Sequence, residues 1–328
     1  MKVLVTGATG LVGTALVKSL AHDGHLVCRL LRRESVTGAK GSKAGRSKQA
    51  LELSGSGKVF DVAWDPEASA TSAIGDPQGH TAGADAVVNL AGASIADGKW
   101  TTQRKMQLRS SRVKTTRSLL TALQKAGLAP KIFVSASAIG IFGDRGDEVL
   151  TEESAPGRDF LAGLTAEWEA EAMKGQELGM RVVCARFGII LAKNGGALRQ
   201  MMKPFKFGVG GKLGSGRQWM SWVSLDDAIG VLRYALENAS VSGAVNAVAP
   251  EPVRNAKFTT ELARAMHRPA IFPAPAFALR VALGQEMADS LLLASQRVKP
   301  SRLQQFGFAF QQGELGLALE HVLHGNSQ

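Results

Sequence analysis

The sequence predicts an α/β protein of the doubly wound, Rossmann type, with a parallel sheet covered by helices on both faces and a smaller C-terminal substrate lobe. Three observations carry this reading. Strand-like and helix-like runs alternate through the first two thirds of the chain. The first strand-like run leads directly into the glycine turn TGATGLVG. After Leu191 the alternation stops and glycine and proline become frequent.

The expected strands are Lys2–Thr6, Leu26–Leu31, Val59–Trp64, Ala86–Leu90, Lys131–Ser135 and Arg181–Phe187, each a short apolar run with turn residues at its ends. Helical periodicity falls on Gly13–Asp23, Trp100–Lys125 and Phe160–Leu178. Right-handed crossovers then place ligand-binding residues just beyond each strand's carboxyl end. The core is expected over residues 1–190, continuing in part to about 250, and the lobe over 191–328. Within the lobe, QWMSWVSLDD reads as a short strand opening a helix through Tyr234, with Trp222 and Val223 in the lobe core. Asp226 and Asp227 stand where carboxylates suit a helix N-terminus.

Each strand end then suggests a role. Gly7, Gly10 and Gly13 let the backbone approach a ligand closely, and a helix starting there aims free N–H groups and a positive dipole end at it. A phosphate is the natural guest, so Thr6, Gly7, Ala8, Thr9, Gly10, Leu11, Val12 and Gly13 are candidate cofactor contacts. The second strand ends in Arg32 and Arg33, where an NAD site usually carries an acid. Two guanidinium forks suit a 2′-phosphate, which favours NADP(H) over NAD. Small residues after the fourth strand place Leu90, Ala91, Gly92 and Ala93 along the cofactor's middle. The fifth strand adds Ser135 and Ala136, and Ser135 and Ser137 share a face at period two. The segment Trp64–Asp65–Pro66 reads as a turn or as flanking an adenine.

Composition bounds the alternatives. No apolar run is long enough to span a bilayer, and the first strand begins at once without a signal peptide's layout, so a cytoplasmic protein without a membrane partner is expected. Cys28 and Cys184 sit in apolar strand runs and read as buried free thiols; the six histidines have no metal-ligand spacing. The net charge of +11 raises nucleic acid as a partner. Much of that charge, however, is local to Lys40, Lys43, Arg46, Lys48 and Lys58, in a Gly/Ser-flanked insertion over 35–58 without interleaved aromatic residues. A solvated basic insertion is the favoured reading.

TGATGLVG, NLAG and VSASAIG together resemble the extended short-chain dehydrogenase/reductase and nucleotide-sugar epimerase superfamily. GKWTTQRK, SSRVKTT, SASAIGIFGDRGDEVLTEES, DFLAGLTAEWE, GGKLGSGRQWMSWVSLDD, LLLASQRVKP and FGFAF resemble an atypical branch, the epimerase family proteins. The resemblance implies a Rossmann core, bound NADPH, and a family-specific region over about 270–320. By analogy with extended relatives it also suggests a homodimer.

The same resemblance implies a Ser, a Tyr and a Lys, the last two spaced YxxxK. This chain departs from it. Its one tyrosine, Tyr234, lies in a late helix with Asn238 four residues on, and the YxxxK segment reads Phe160 to Leu164. Two readings follow. In one, the protein is a reductase or epimerase acting on a small carbonyl or sugar-nucleotide-like substrate with a different acid. Ser137 then bonds a substrate oxygen, and Asp144, Asp147, Glu148, Arg145 or Lys203 supplies a proton or charge. In the other, it is a slow or non-catalytic NADPH-binding sensor or scaffold. Trp100, Phe142, Arg145, Lys203 and Arg217 are the candidate substrate contacts, with Lys99, Arg104 and Arg112 along the helix that follows NLAG.

Overall fold

In the computed structural model, which describes residues 1–32, 57–68 and 73–325, strand-forming runs assemble into one eight-stranded sheet. Its strands are β1 (Lys2–Thr6), β2 (Leu26–Leu31), β3 (Lys58–Trp64), β4 (Ile74–Gly75), β5 (Ala86–Asn89), β6 (Ile132–Ala138), β8 (Arg181–Phe187) and β12 (Gly243–Ala247). Their spatial order is β12-β8-β6-β5-β1-β2-β3-β4. All neighbours are parallel except the β3–β4 pair. The order reverses at β1, which lies between β2 and β5, so the crevice beyond these strand ends is the ligand position of a doubly wound sheet.

Period-two alternation sorts the strand residues onto two faces. Val3, Val5, Val27, Val88 and Val183 pack beneath α1 (Leu11–His22) and, through Val231, Leu232 and Ala235, beneath a helix from the far end of the core. Leu4, Cys28, Val87, Phe133 and Cys184 face the other way, against Leu119, Leu120 and Leu123. Both cysteines are free and buried. Burial pushes the Cys28 thiol up to about 11 and the Cys184 thiol higher still.

The helix expected over Trp100–Lys125 is instead three pieces: α2 (Thr102–Arg109), a π-helical turn (Ser110–Lys114) and α3 (Thr115–Lys125). Thr101 caps α2 by accepting the Arg104 N–H at 3.1 Å. α4 (Phe160–Met173) is capped by Asp159 at 2.8 Å, tightens to 3₁₀ over Lys174–Leu178 and stops at Gly179 in the left-handed region.

The lobe is stitched into this core. It holds the short pairs β9 (Ile189–Leu191) with β11 (Trp222–Ser224) and β10 (Trp219–Met220) with β13 (Val253–Arg254). Around them lie α5 (Gly196–Lys206), α7 (Asn255–Ala265), α8 (Ala276–Leu283), α9 (Gln285–Ala288) and α11 (Leu315–His324). Between these segments α6 (Leu225–Glu237) and β12 return to the core; α6 supplies the helix over α1, and α10 (Ser301–Gln305) sits on β12. β14 (Arg297–Val298) pairs with β7 (Val149–Leu150), tying the two parts again. Ser224 caps α6 by accepting the Asp227 N–H at 3.0 Å, and the Asp227 carboxylate accepts the Gln311 and Gln312 N–H groups, at 2.8 and 3.0 Å. Asp226 meets His321 at 2.9 Å.

Trp222 is fully buried at the lobe centre and its indole N–H donates to the Glu251 carbonyl at 3.1 Å. Trp222→Ala is expected to destabilise the protein by about 3–5 kcal/mol. Thermal and urea denaturation of the variant measure this, and a loss below about 1 kcal/mol contradicts the packing role.

Candidate active site

The glycine turn and the loop after β5 meet back to back at the point where the strand order reverses. Gly7 has φ +65°, and a Cβ there would lie 2.5 Å from the Leu90 carbonyl oxygen. A Cβ on Gly13 would lie 2.2 Å from the Gly7 oxygen. Only glycine satisfies these two contacts. α1 starts at Gly10 with no side-chain cap, and Thr9 and Gly10 are exposed there. Its first N–H groups therefore point outward from a backbone cradle, the arrangement that receives a phosphate. Leu11 packs against Gly195 and Gly196, so the lobe side lies over this turn.

Thr6 is placed differently from a ligand contact. It is fully buried, and its hydroxyl donates to Asn89 Oδ1 at 2.7 Å. Asn89 in turn donates to Thr116 at 2.9 Å, where the Trp168 indole N–H also arrives at 3.1 Å. This chain of hydrogen bonds joins β1, β5, α3 and α4 beneath the cradle.

At the end of β2, Arg32 is exposed and carries no ion pair among the described residues, while Arg29 is spent on Asp61 at 2.6 and 2.7 Å. Arg33 and the insertion over 35–56 lie outside the described residues. The π-helical turn holds the loop after β5. Ser111 accepts the Ala93 N–H at 3.1 Å, and Arg112 donates to the Ala93 carbonyl at 3.1 Å and to that of Leu108 at 3.3 Å. Arg112 also lies over the Trp168 ring and beside Gly92. Burial, with the Arg104 charge nearby, lowers its pKa to about 10.

Phe160 and Leu164, the residues read from the sequence as the YxxxK positions, sit among hydrocarbon. Leu164 is buried with Leu108, Val113 and Trp168, and Phe160 packs on them together with Trp100. The Phe160 and Trp100 rings meet edge-on at 5.3 Å, and the Trp100 N–H donates to the Ile95 carbonyl at 2.9 Å. The Lys105 ammonium stands 5.1 Å over the Phe160 ring and pairs with Glu286 of the lobe.

Beside this apolar face lies a buried polar chain. The Ser137 hydroxyl, almost fully buried, donates to Glu169 of α4. Glu169 is gripped by Arg186 of β8 through two 2.8 Å bonds. Arg186 lies over the Phe142 ring and donates to the Glu152 carbonyl at 3.3 Å. Burial works against the Arg186 charge, but Glu169 more than compensates and holds its pKa above the ordinary value. Ser135 is fully buried between β5 and β8, within 3.5 Å of Asn89.

Other expected contacts lie elsewhere. Phe142, expected at the substrate, is fully buried with Ile139, Ile141, Leu150 and Val298 and shows no surface to a ligand. Arg145 is consumed within its own loop, holding Glu148 at 2.7 and 2.8 Å and the Ala155 carbonyl at 2.9 Å. Asp144 accepts the Ser295 N–H at 3.0 Å. Asp147 accepts from the Trp219 indole at 2.9 Å and pairs with Arg254 at 2.7 Å, contacts that hold its carboxyl below the usual range. Lys203 and Arg217 are exposed, on α5 and in the glycine-rich segment before β10. Among the described residues no group of three or more His, Cys, Asp or Glu side chains is placed to hold a metal. Glu169 and Arg186 are the residues that sequence reading missed; an arginine inside the apolar run RVVCARF was the available signal.

A parallel sheet whose first strand opens into a glycine cradle at a helix N-terminus defines a dinucleotide-binding α/β protein. The pattern of the NAD dependent epimerase/dehydratase family matches residues 3–248, and the DUF1731 domain of unknown function matches residues 274–322. The chain belongs to the NAD dependent epimerase/dehydratase family, on its atypical short-chain dehydrogenase/reductase branch of epimerase family proteins. It is 37% identical over 328 residues to the epimerase family protein ML0860 of Mycobacterium leprae, covering 99% of this chain and 97% of that protein. Among solved structures it is similar to human epimerase family protein SDR39U1 (isoform 2) with NADPH, at TM-score 0.80 and 31% identity, covering 98% of this chain and 99% of that one. It is also similar to the nucleoside-diphosphate sugar epimerase of Corynebacterium glutamicum, at TM-score 0.72 and 33% identity, covering 98% of this chain and 58% of that one.

The Glu169–Arg186 pair is about nine-tenths buried on both sides, so removing one charge strands the other. Glu169→Gln is expected to cost about 3–5 kcal/mol of stability, measured by denaturation, with Arg186→Met costing a similar amount. A cost near zero for both shows that water already solvates the pair.

Proposed function

We propose that this protein is an NADP(H)-dependent oxidoreductase or epimerase acting on a carbonyl or hydroxyl group of a small substrate, without the tyrosine–lysine dyad. The observation that carries the cofactor assignment is the uncapped start of α1 behind a cradle that any Cβ at Gly7 or Gly13 would fill. Thr9, Leu11 and Val12 supply N–H groups there, while the Gly10 N–H closes the turn on the Gly7 carbonyl at 2.9 Å, and Leu90, Ala91, Gly92 and Ala93 form the opposite wall. Arg32, exposed and without a carboxylate partner among the described residues, is the selector for a 2′-phosphate, with Arg33 beside it in sequence. The NADPH carried by the human relative's structure supports the same choice. A nicotinamide cofactor, when bound, supplies or accepts the hydride.

The proton side falls to the chain's own residues. Arg186 donates two hydrogen bonds to Glu169, and Glu169 accepts a third from the Ser137 hydroxyl. The Ser137 oxygen is thereby turned to accept from a substrate hydroxyl, which orients the carbon to be oxidised. Phe160, Leu164 and Trp100 exclude water from the same side. A second reading, an NADPH-binding sensor with little turnover, draws on the near-complete burial of Ser137 and the hydrocarbon at the dyad positions.

Two measurements test these assignments. Arg32→Asp combined with Arg33→Ser is expected to weaken NADPH binding by about 100-fold while changing NADH binding by less than about fivefold, as when one charge-assisted phosphate site is removed. Equal losses for both cofactors refute the selector. NADP+ reduction across a panel of alcohols is expected to fall at least tenfold in Ser137→Ala, on the order of one lost hydrogen bond from a substrate hydroxyl. Tight NADPH binding with no turnover across the panel favours the sensor.

A further inference from the structure

One face of the lobe is apolar and basic. It is built from two segments, residues 203–214 and 267–283. The Phe272 N–H donates to the Gly210 carbonyl at 3.1 Å, Ala274 N–H to Lys212 at 2.9 Å, and Gly214 N–H to Ala274 at 2.8 Å. These bonds lay the segments side by side, and α8 continues directly from the second. Phe207, Val209, Ile271, Phe272, Phe277 and Val281 are exposed there, each between 54% and 81%. α8, with the sequence AFALRVAL, buries none of its residues. A protein surface rarely leaves this much large hydrocarbon in water without a use for it.

Charge says what the use is. The two segments carry Lys203, Lys206, Lys212, Arg268 and Arg280 and no aspartate or glutamate. Arg280 is paired with Asp289 at 2.8 Å. The four others are exposed and have no ion pair among the described residues. The carboxylates on neighbouring helices are taken: Glu286 by Lys105, Glu261 by Arg264, Asp289 by Arg280. In a two-fold dimer the same surface meets itself, so four unpaired cations would face four more. The cavities lined by Trp219 to Leu315 and by Gly143 to Ala294 lie elsewhere. Bulky apolar side chains on two loops and a short helix, set among free lysines and an arginine, match the surface of an anionic bilayer.

We propose that this face docks the protein reversibly onto anionic phospholipid membranes, with Phe207, Phe272, Phe277 and Val281 entering the headgroup boundary and Lys206, Lys212 and Arg268 meeting lipid phosphates. No described helix is long and apolar enough to cross a membrane, so the attachment is peripheral. The absence of a membrane partner was expected from the lack of a spanning run, which bears only on spanning.

The test is co-sedimentation of the full chain with phosphatidylcholine vesicles, with and without about 30% phosphatidylglycerol. The expected result is binding only to the anionic vesicles, released by about 0.5 M salt. Phe277→Ser with Val281→Ser, and separately Lys206→Glu with Lys212→Glu, each lower partitioning about tenfold or more. Lys18→Glu, an exposed charge on α1, leaves it unchanged. Since Cys28 and Cys184 are buried, a polarity-sensitive label on Phe277→Cys reports insertion as a blue shift. Unchanged melting temperature and NADPH binding in each variant exclude misfolding. Several outcomes overturn the proposal. These are no binding to anionic vesicles, binding insensitive to the apolar pair, an equal effect of Lys18→Glu, or a dimer in sedimentation that Phe277→Ser dissolves. Capture of an acidic protein by a face that ignores vesicles overturns it as well.

Discussion

The contact between Gly7 and the Leu90 carbonyl is the constraint on which the rest of the structure depends. At a Cβ distance of 2.5 Å it admits no side chain, so the first strand-end loop lies directly on the loop after β5. That contact brings the start of α1 and the segment Leu90–Ala93 to the same crevice. Beneath it, Thr6, Asn89, Thr116 and Trp168 form one buried hydrogen-bonded chain across four elements. The π-helical turn completes the arrangement by fixing both backbone groups of Ala93 through Ser111 and Arg112. Buried polar groups impose directional requirements that hydrocarbon packing does not, which makes the cradle's geometry specific.

Phe160 and Leu164, read from the sequence as the dyad positions, lie in hydrocarbon, and a separate buried chain joins Ser137, Glu169 and Arg186. The Glu169 carboxylate accepts two hydrogen bonds from Arg186 and one from Ser137.

Much of this was legible in the sequence. β1, β2 and β8 begin and end where their apolar runs do, because turn residues bound them on both sides. β6 continues three residues past the expected Ser135, since Ala136–Ala138 have weak strand preference of their own and gain it from Ala185, Arg186 and Phe187 alongside. β12 escaped notice for the same reason: GAVNA is short and small, and its conformation comes from β8. The π-helical turn leaves local composition helical, so periodicity runs through it unmarked. Glu169 and Arg186 sit 17 positions apart on different elements, a distance that no local pattern bridges. Trp222, Asp227 and the lobe's glycine clusters were legible because burial, capping and tight turns are local demands.

The late return of β12 has a consequence for how the chain is made. Its parallel neighbour β8 ends at Phe187, and the strand that covers that edge begins only at Gly243. During synthesis the ribosome must add the whole of α5, β11 and α6 before the sheet is closed. Until then the row of β8 backbone groups, flanked by Val182, Val183 and Ala185, is an open template for strands of other chains. The lobe is thus also a delay line: its length sets the time during which a nascent chain needs protection, and a fragment ending near residue 190 never leaves that vulnerable state.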